Sequence, residues 1–206
     1  MNSTPGPRTG AATRARLLEA GFTLFTTTGF LRTTTPALAA HAGIAEGTIY
    51  RHFKSKDALL TECHRLTATW AIEALKGTEG ERGARTPERL AAFAGELVAR
   101  ATEHPPTIRV LFAEDHEPFL DEPTRGLRRA FGDALVQLMA MGKSDGLVRS
   151  GPAEVWAAVW LAVIELGVSR VAAGDWTPDS GNLALTVHAA WDAIAAPDRP
   201  SAPPAE

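Results

Sequence analysis

Residues 34–57, TTPALAAHAGIAEGTIYRHFKSKD, decide the fold, because their glycine, alanine and apolar positions fall where two short crossed helices need them. Leu38 and Ala42 stand one helical turn apart, as do Ile49 and Phe53, so each pair makes a short apolar stripe. Ile44 plugs the corner between the helices, and Ala39 is small where they cross. Gly43 stands where the first helix must end in a left-handed conformation, which a residue with a Cβ adopts only at a cost. Thr34 or Thr35 is placed to cap the first helix, Pro36 suits its first turn, and Ser55 is placed to cap the helix that follows. With Ile49 and Phe53 turned inward, the helix over residues 45–53 presents Glu46, Gly47, Thr48, Tyr50, Arg51 and His52 outward. A short polar-faced helix set on a crossed partner is the shape that enters a DNA groove.

The 206 residues are 45% hydrophobic and 22% charged, a globular composition with chain enough for one sizeable core or two small ones. A formal charge of −3 argues at first against DNA as a partner, since affinity for DNA rests largely on neutralising phosphates. The distribution corrects this. Residues 1–70 hold eight Lys and Arg against four Asp and Glu, a net +4, whereas residues 71–206 hold thirteen against twenty, a net −7. The single cysteine, Cys63, excludes an internal disulfide framework, and the amino terminus lacks the apolar run of a secretory signal, so a cytoplasmic location is expected. The longest apolar run, Val155–Val168, is too short to span a bilayer and carries Glu165; it reads as a buried helix, with no membrane partner.

Outward from residues 34–57 the pattern stays helical, and no run reads as a strand. Residues 1–12 are small and polar and read as an arm ending near Thr13, the candidate cap of a first helix. Arg8, Arg14 and Arg16 lie where such an arm could touch DNA, although a solvated tail explains them equally well. Leu17, Leu18, Phe22 and Phe25 repeat at helical spacing until Gly29. A further helix runs from Ser55 toward Leu75. Gly77–Arg85 reads as a flexible connection, after which Pro87 opens a helix expected to stop at Pro105 and Pro106. A helix from Thr124 to Met141 and two strongly apolar helices follow, the last before a proline-rich tail. The expected parts are an arm at 1–10, a head at 11–71, a helical carboxy-terminal domain at 72–196 and a disordered tail at 197–206.

The pattern TTxxLAxxAGIxxGTxYxHFxxKxxLL resembles the amino-terminal domain of the tetracycline-repressor (TetR) family of bacterial transcription regulators, and ARLLEAGFTLFTTTGF, residues 15–30, is similar to its first helix. The likeness covers about the first third of the chain; the rest is similar in helical pattern and length. It implies an all-α fold: a three-helix helix-turn-helix DNA-binding domain followed by a helical ligand-binding and dimerisation domain. By position it implies that Tyr50 and Thr48 contact phosphate and a base methyl, His52 a base or phosphate, Lys56 a phosphate, and Thr34 and Thr35 the DNA backbone. It also implies a four-helix bundle made by the last two helices and those of a second subunit. That agrees with their excess of apolar surface, and the expected interface is Trp156, Trp160, Ile164, Gly167, Leu183, Val187 and Trp191.

Two positions depart from the usual pattern. Ala45 stands where the family often has a serine and cannot cap through its side chain, a loss of roughly 0.5–2 kcal/mol. Glu46 puts a carboxylate in the groove-facing set, where phosphates repel it unless it accepts from cytosine N4.

For chemistry the chain offers little. Cys63 and His64 are neighbours about 100° apart on a helix and form no nucleophile and base pair. Glu114, Asp115, His116 and Glu117 cluster without a second His or Cys at ligand spacing and read as a solvated loop, so no metal and no cofactor are expected. Phe93, Leu97, Leu111, Phe112, Phe131, Leu135, Met139 and Trp160 are the candidates for an effector pocket, although plain core explains the same pattern. The expectation is a dimeric, ligand-responsive repressor that binds a double-stranded DNA operator, with no enzymatic activity. An activator or ligand-insensitive regulator of the same fold is the alternative, and a helical enzyme or carrier with a vestigial head the remote one.

Overall fold

The computed structural model describes residues 10–80 and 83–197, so the expected arm with Arg8 and the expected tail beyond Pro197 lie almost wholly outside the described residues. The fold is all-α. Eight α-helices are present among the described residues, and the sole β-type pairing there is an isolated bridge between Val148 and Ala195. They form two units: residues up to Trp70 with His104–Arg128, and Ala71–Glu103 with the residues from Arg129 on.

In the first unit, α1 (Gly10–Leu24) runs on as a π-helical turn, Phe25–Gly29, and Gly29 at φ 90 ends it. Thr13, expected as the cap, is instead buried inside α1, which starts three residues earlier. Helix α2 (Thr35–Ala42) is capped by Thr34, whose hydroxyl accepts from the Ala37 amide at 3.3 Å. Gly43, at φ 62 and ψ 44, closes α2, and the Ile44 amide reaches back to the Ala39 carbonyl at 3.0 Å. Residues Glu46–Arg51 form a 3-10 helix rather than an α-helix, entered through Ala45 without a side-chain cap. Ser55 then caps α3 (Lys56–Gly77), accepting from the Ala58 amide at 3.0 Å.

The core of this unit gathers Leu17, Phe25, Leu38, Ile49, Phe53, Leu59, Leu60 and Cys63, and is completed by Val110 and Leu120 from much later in the chain. That is why the unit takes in 104–128, unlike a head drawn as a continuous 11–71. Pro105 and Pro106 do not merely stop a helix. They open α5 (Pro105–Leu111), where their missing amides are not needed. A 3-10 turn, Glu117–Phe119, and the first part of α6 (Glu122–Ser144) follow.

The second unit holds α4 (Thr86–Glu103), the rest of α6, α7 (Ala153–Ala173) and α8 (Gly181–Ile194). Phe93 is its centre, with Phe131 at 5.9 Å and Trp160 stacked at 6.2 Å between ring centroids. Where α7 meets α8, a Cβ on Gly167 would lie 3.0 Å from the Leu183 Cδ1, so glycine permits the close approach. By length and composition α7 is long enough to cross a bilayer, contrary to the shorter run read from the sequence. Its Trp160, Ile164 and Val168 nonetheless pack as a core helix does.

Within one chain the residues expected at a dimer interface are mostly packed inward. Trp160, at 2% exposure, together with Ile164, Gly167 and Leu183, is buried inside the chain's own core. Trp156 is half-buried, donates its indole N–H to the Ser150 carbonyl at 3.2 Å and lies beneath the Arg149 guanidinium. Val187 and Trp191 are half-buried beside a recess. Arg170 bonds Asp175 at 3.0 Å. The apolar surface that α7 and α8 leave exposed is a different one: Val155, Ala158, Ala162 and Leu166 on α7, and Leu185 and Ala189 on α8. Leu166 is 53% exposed and Leu185 70%.

Candidate nucleic-acid interface

Three helix ends and one 3-10 helix build the polar face of the first unit. Ile49 and Phe53 are buried, and their spacing holds the backbone of Glu46–Arg51 against the core. Tyr50 is thereby turned out and is 57% exposed. Glu46, Gly47 and Arg51 are exposed, while Thr48 and His52 are half-buried. No described neighbour pairs the Glu46 carboxylate. Thr34 is exposed with its hydroxyl already serving as the α2 cap, and Thr35 is half-buried.

Lys56 sits differently from the expected free clamp. Its ammonium donates to the Phe30 carbonyl at 2.8 Å and the Thr33 carbonyl at 3.0 Å, and stands 4.2 Å over the Phe30 ring. It ties the turn before α2 to the start of α3, so its first effect is to position the face. Thr33 reinforces that turn, its buried hydroxyl donating to the Gly29 carbonyl at 2.8 Å. Arg14 and Arg16, candidates for touching DNA, also turn back into the unit. Arg14 binds Glu62 at 2.5 Å and covers the Phe53 ring, and Arg16 reaches the Gly43 carbonyl at 3.4 Å. Arg65, bonded to Glu62 at 2.6 Å, and Arg14 together hold that carboxyl down to about 2, so it is charged at any physiological pH. The exposed cations left near the face are Arg51, Lys54 and Arg32. Lys54 and Arg32 belong to no apolar stripe and no cap, which is why the pattern of residues 34–57 did not single them out.

One sequence reading fails outright inside this unit. His116 is not part of a solvated loop: it is 3% exposed and sits 3.0 Å from His64, ring nitrogen to ring nitrogen. Cys63 is buried, which pushes its thiol well above the usual range and leaves it inert.

The effector candidates divide between the units. Leu111 and Phe112 lie in the first; Phe93, Leu97, Phe131, Leu135 and Met139 are packed core of the second. Of the set, Trp160 alone reaches the one markedly apolar recess described there, about 280 Å³ between Pro87, Leu90 and Ala91 of α4 and Val187, His188 and Trp191 of α8. Sequence spacing missed it because its walls come from helices about a hundred residues apart.

An all-helical chain with a capped helix-turn-helix and an outward polar face has the form of a gene regulator. Residues 17–63 match the family model described as bacterial regulatory proteins, tetR family. The likeness to that family is therefore carried by residues 17–63, and the rest of the chain shares the fold of solved structures described as its members. It is 30% identical over 77 residues to the HTH-type transcriptional regulator YerO of Bacillus subtilis, covering 37% of this chain and 27% of that one. It is 38% identical over 64 residues to the HTH-type transcriptional repressor KstR2 of Mycolicibacterium smegmatis, covering 31% of each. Both matches therefore span less than a third of the curated relatives' own length. At the level of fold, a TetR family transcription regulator from Marinobacter aquaeolei VT8 superposes with a TM-score of 0.75 at 23% identity, over 90% of this chain and 96% of that one.

Proposed function

We propose that this chain binds a double-stranded DNA operator as a homodimeric, ligand-responsive repressor of transcription in the cytoplasm. The observation that carries the reading is the outward set Glu46, Gly47, Thr48, Tyr50, Arg51 and His52, held by the inward Ile49 and Phe53 on a braced helix-turn-helix. In this reading Tyr50, Thr48, Arg51 and His52 contact DNA directly, Thr34 and Thr35 approach the backbone, and Lys56 acts first by holding the face in shape. Lys54 and Arg32 add phosphate contacts.

Dimerisation uses the exposed stripe Val155, Ala158, Ala162 and Leu166 with Leu185 and Ala189, because a contiguous apolar surface on two adjoining helices is stabilised by covering it. A twofold pair of heads then reads two half-sites one helical turn apart, roughly 34–36 Å. The effector is an apolar molecule in the recess of Trp160, Trp191 and His188, and linkage requires it and DNA to oppose each other by one factor. A gel shift with the DNA upstream of the chain's own gene tests the reading. The expected result is a retarded band with the wild type that Tyr50→Ala abolishes while circular dichroism stays unchanged. A wild type that retards no such DNA overturns it.

A further inference from the structure

Inside the first unit, three segments far apart in sequence meet at an ordered chain of hydrogen bonds. Arg128, on α6, brings a guanidinium nitrogen to 3.1 Å from His64 Nδ1, on α3. His64 Nε2 lies 3.0 Å from His116 Nδ1, in the stretch between α5 and α6. The guanidinium can only donate, so His64 Nδ1 must be the acceptor and carries no proton. Its proton is therefore on Nε2 and is donated to His116 Nδ1, which in turn leaves the His116 proton on Nε2. Both rings are neutral, and one tautomer of each satisfies the whole chain.

We propose that the Arg128–His64–His116 chain is an acid-sensitive latch of the DNA-reading unit, closed when both imidazoles are neutral and opened when either takes a proton. The geometry leaves an added proton nowhere to go. On His64 it would sit on Nδ1, facing the donors of Arg128; on His116 it would sit on Nδ1, facing the N–H of His64. The same Arg128 nitrogen lies 3.4 Å from the Leu111 carbonyl, and Arg128 Nε pairs with Glu117 at 3.1 Å, so the cation is anchored and does not withdraw. Asp115 is the one group that favours a proton on His116. Burial and the Arg128 charge outweigh it and hold His116 below its ordinary range. Burial, Arg128 and His116 hold His64 down to about 3.

The latch adjoins the interface. The His116 ring stands 6.1 Å, edge on, from Phe30, the ring that carries the Lys56 ammonium on its face and whose carbonyl Lys56 grips. A positive charge on His116 would be repelled by the brace that shapes the turn before α2.

The sign of the effect follows from linkage. Both histidines prefer the neutral form when folded, so their contribution is complete above the ordinary histidine value of 6.5 and is lost as pH falls toward about 3. For His64 alone the folding equilibrium should weaken about 25-fold between pH 7 and pH 5.

Nitrogen-detected NMR of the six imidazoles in the full chain tests the latch. Two rings should be locked as Nε2–H tautomers and stay neutral to pH 5; the absence of any such pair would overturn the proposal. Urea unfolding at pH 7 and pH 5, read from first-unit amides, should show the acid loss in the wild type and its near absence in H64Q/H116Q, whose amides donate and accept but do not titrate. Equal acid losses in both proteins would overturn it, and if the double variant fails to fold the imidazole spectra of the wild type decide. The link to DNA rests on the proposed function: operator affinity should fall over the same pH interval in the wild type and not in H64Q/H116Q. Failure of the wild type to bind DNA at pH 7 would refute that reading of the head, while the spectra and the unfolding still judge the latch.

Discussion

In the first unit α2 and α3 carry caps that local spacing reveals, whereas α7 of the second is apolar on more than one side and its pattern gives no clear orientation. Thr34, Gly43 and Ser55 make one hydrogen bond or one turn each, and a single inward pair, Ile49 and Phe53, orients the 3-10 helix. Helix α7 instead buries Trp160, Ile164 and Val168 on one side and exposes Val155, Ala158, Ala162 and Leu166 on another. Periodicity selects a face when the opposite face is polar; where both are apolar it selects nothing. Packing against the neighbouring helices then decides: Trp160 and Val168 are taken into the core, while Leu166, no less apolar, is left outside.

The strongest way to break this contrast is to cut into α7 from both sides. Trp160→Ala should lower stability by about 3–5 kcal/mol in denaturant melts, the range for deleting a buried aromatic ring. Leu166→Glu, two turns along on the outer side, should leave the melt of the isolated subunit nearly unchanged and convert dimer to monomer in sedimentation. A Leu166→Glu protein that sediments as the wild type does would remove the outer stripe from the assembly.

On the first unit the expected effects are smaller and concern DNA. Tyr50→Ala and Arg51→Ala should each weaken binding to the operator by about 1–3 kcal/mol, and the arginine change should also reduce the salt slope by about one if it meets a phosphate. Glu46→Gln separates two roles for the unpaired carboxylate. If it accepts from cytosine N4, selection on a randomised library should show one base pair per half-site relaxing by about 1–3 kcal/mol and drifting toward adenine. Tighter binding to every sequence with an unchanged motif would show a purely repulsive charge. Smallest of all, Ser55→Ala should cost about 0.5–2 kcal/mol through the lost cap on α3, with operator affinity changing little at saturating stability.

The same contrast explains what was legible. Thr34, Pro36, Gly43 and Ser55 act on backbone groups within four residues, so local spacing reveals them. The 3-10 form of Glu46–Arg51 is not marked by the spacing of Ile49 and Phe53, which an α-helix fits as well. The brace of Lys56 on Phe30 and the pairing of His64 with His116 join residues 26 and 52 positions apart, and nothing local marks either. For the second unit, helix number and approximate ends were legible from proline, glycine and apolar repeats. Which side of α7 stays exposed was not, since apolar residues occupy both.

Val110 and Leu120 close the core around Cys63 and Leu60, and they arrive some fifty residues after those partners. During synthesis the first unit therefore waits: Val110 and Leu120 must clear the ribosome before its core is sealed. At roughly 5–20 residues per second that delay lasts a few seconds, during which α4, a helix of the other unit, has already emerged. A fragment cut near residue 71 would keep the outward face and lack the two side chains that seal the core behind it. The outward face is thus made well before the side chains that seal the core behind it.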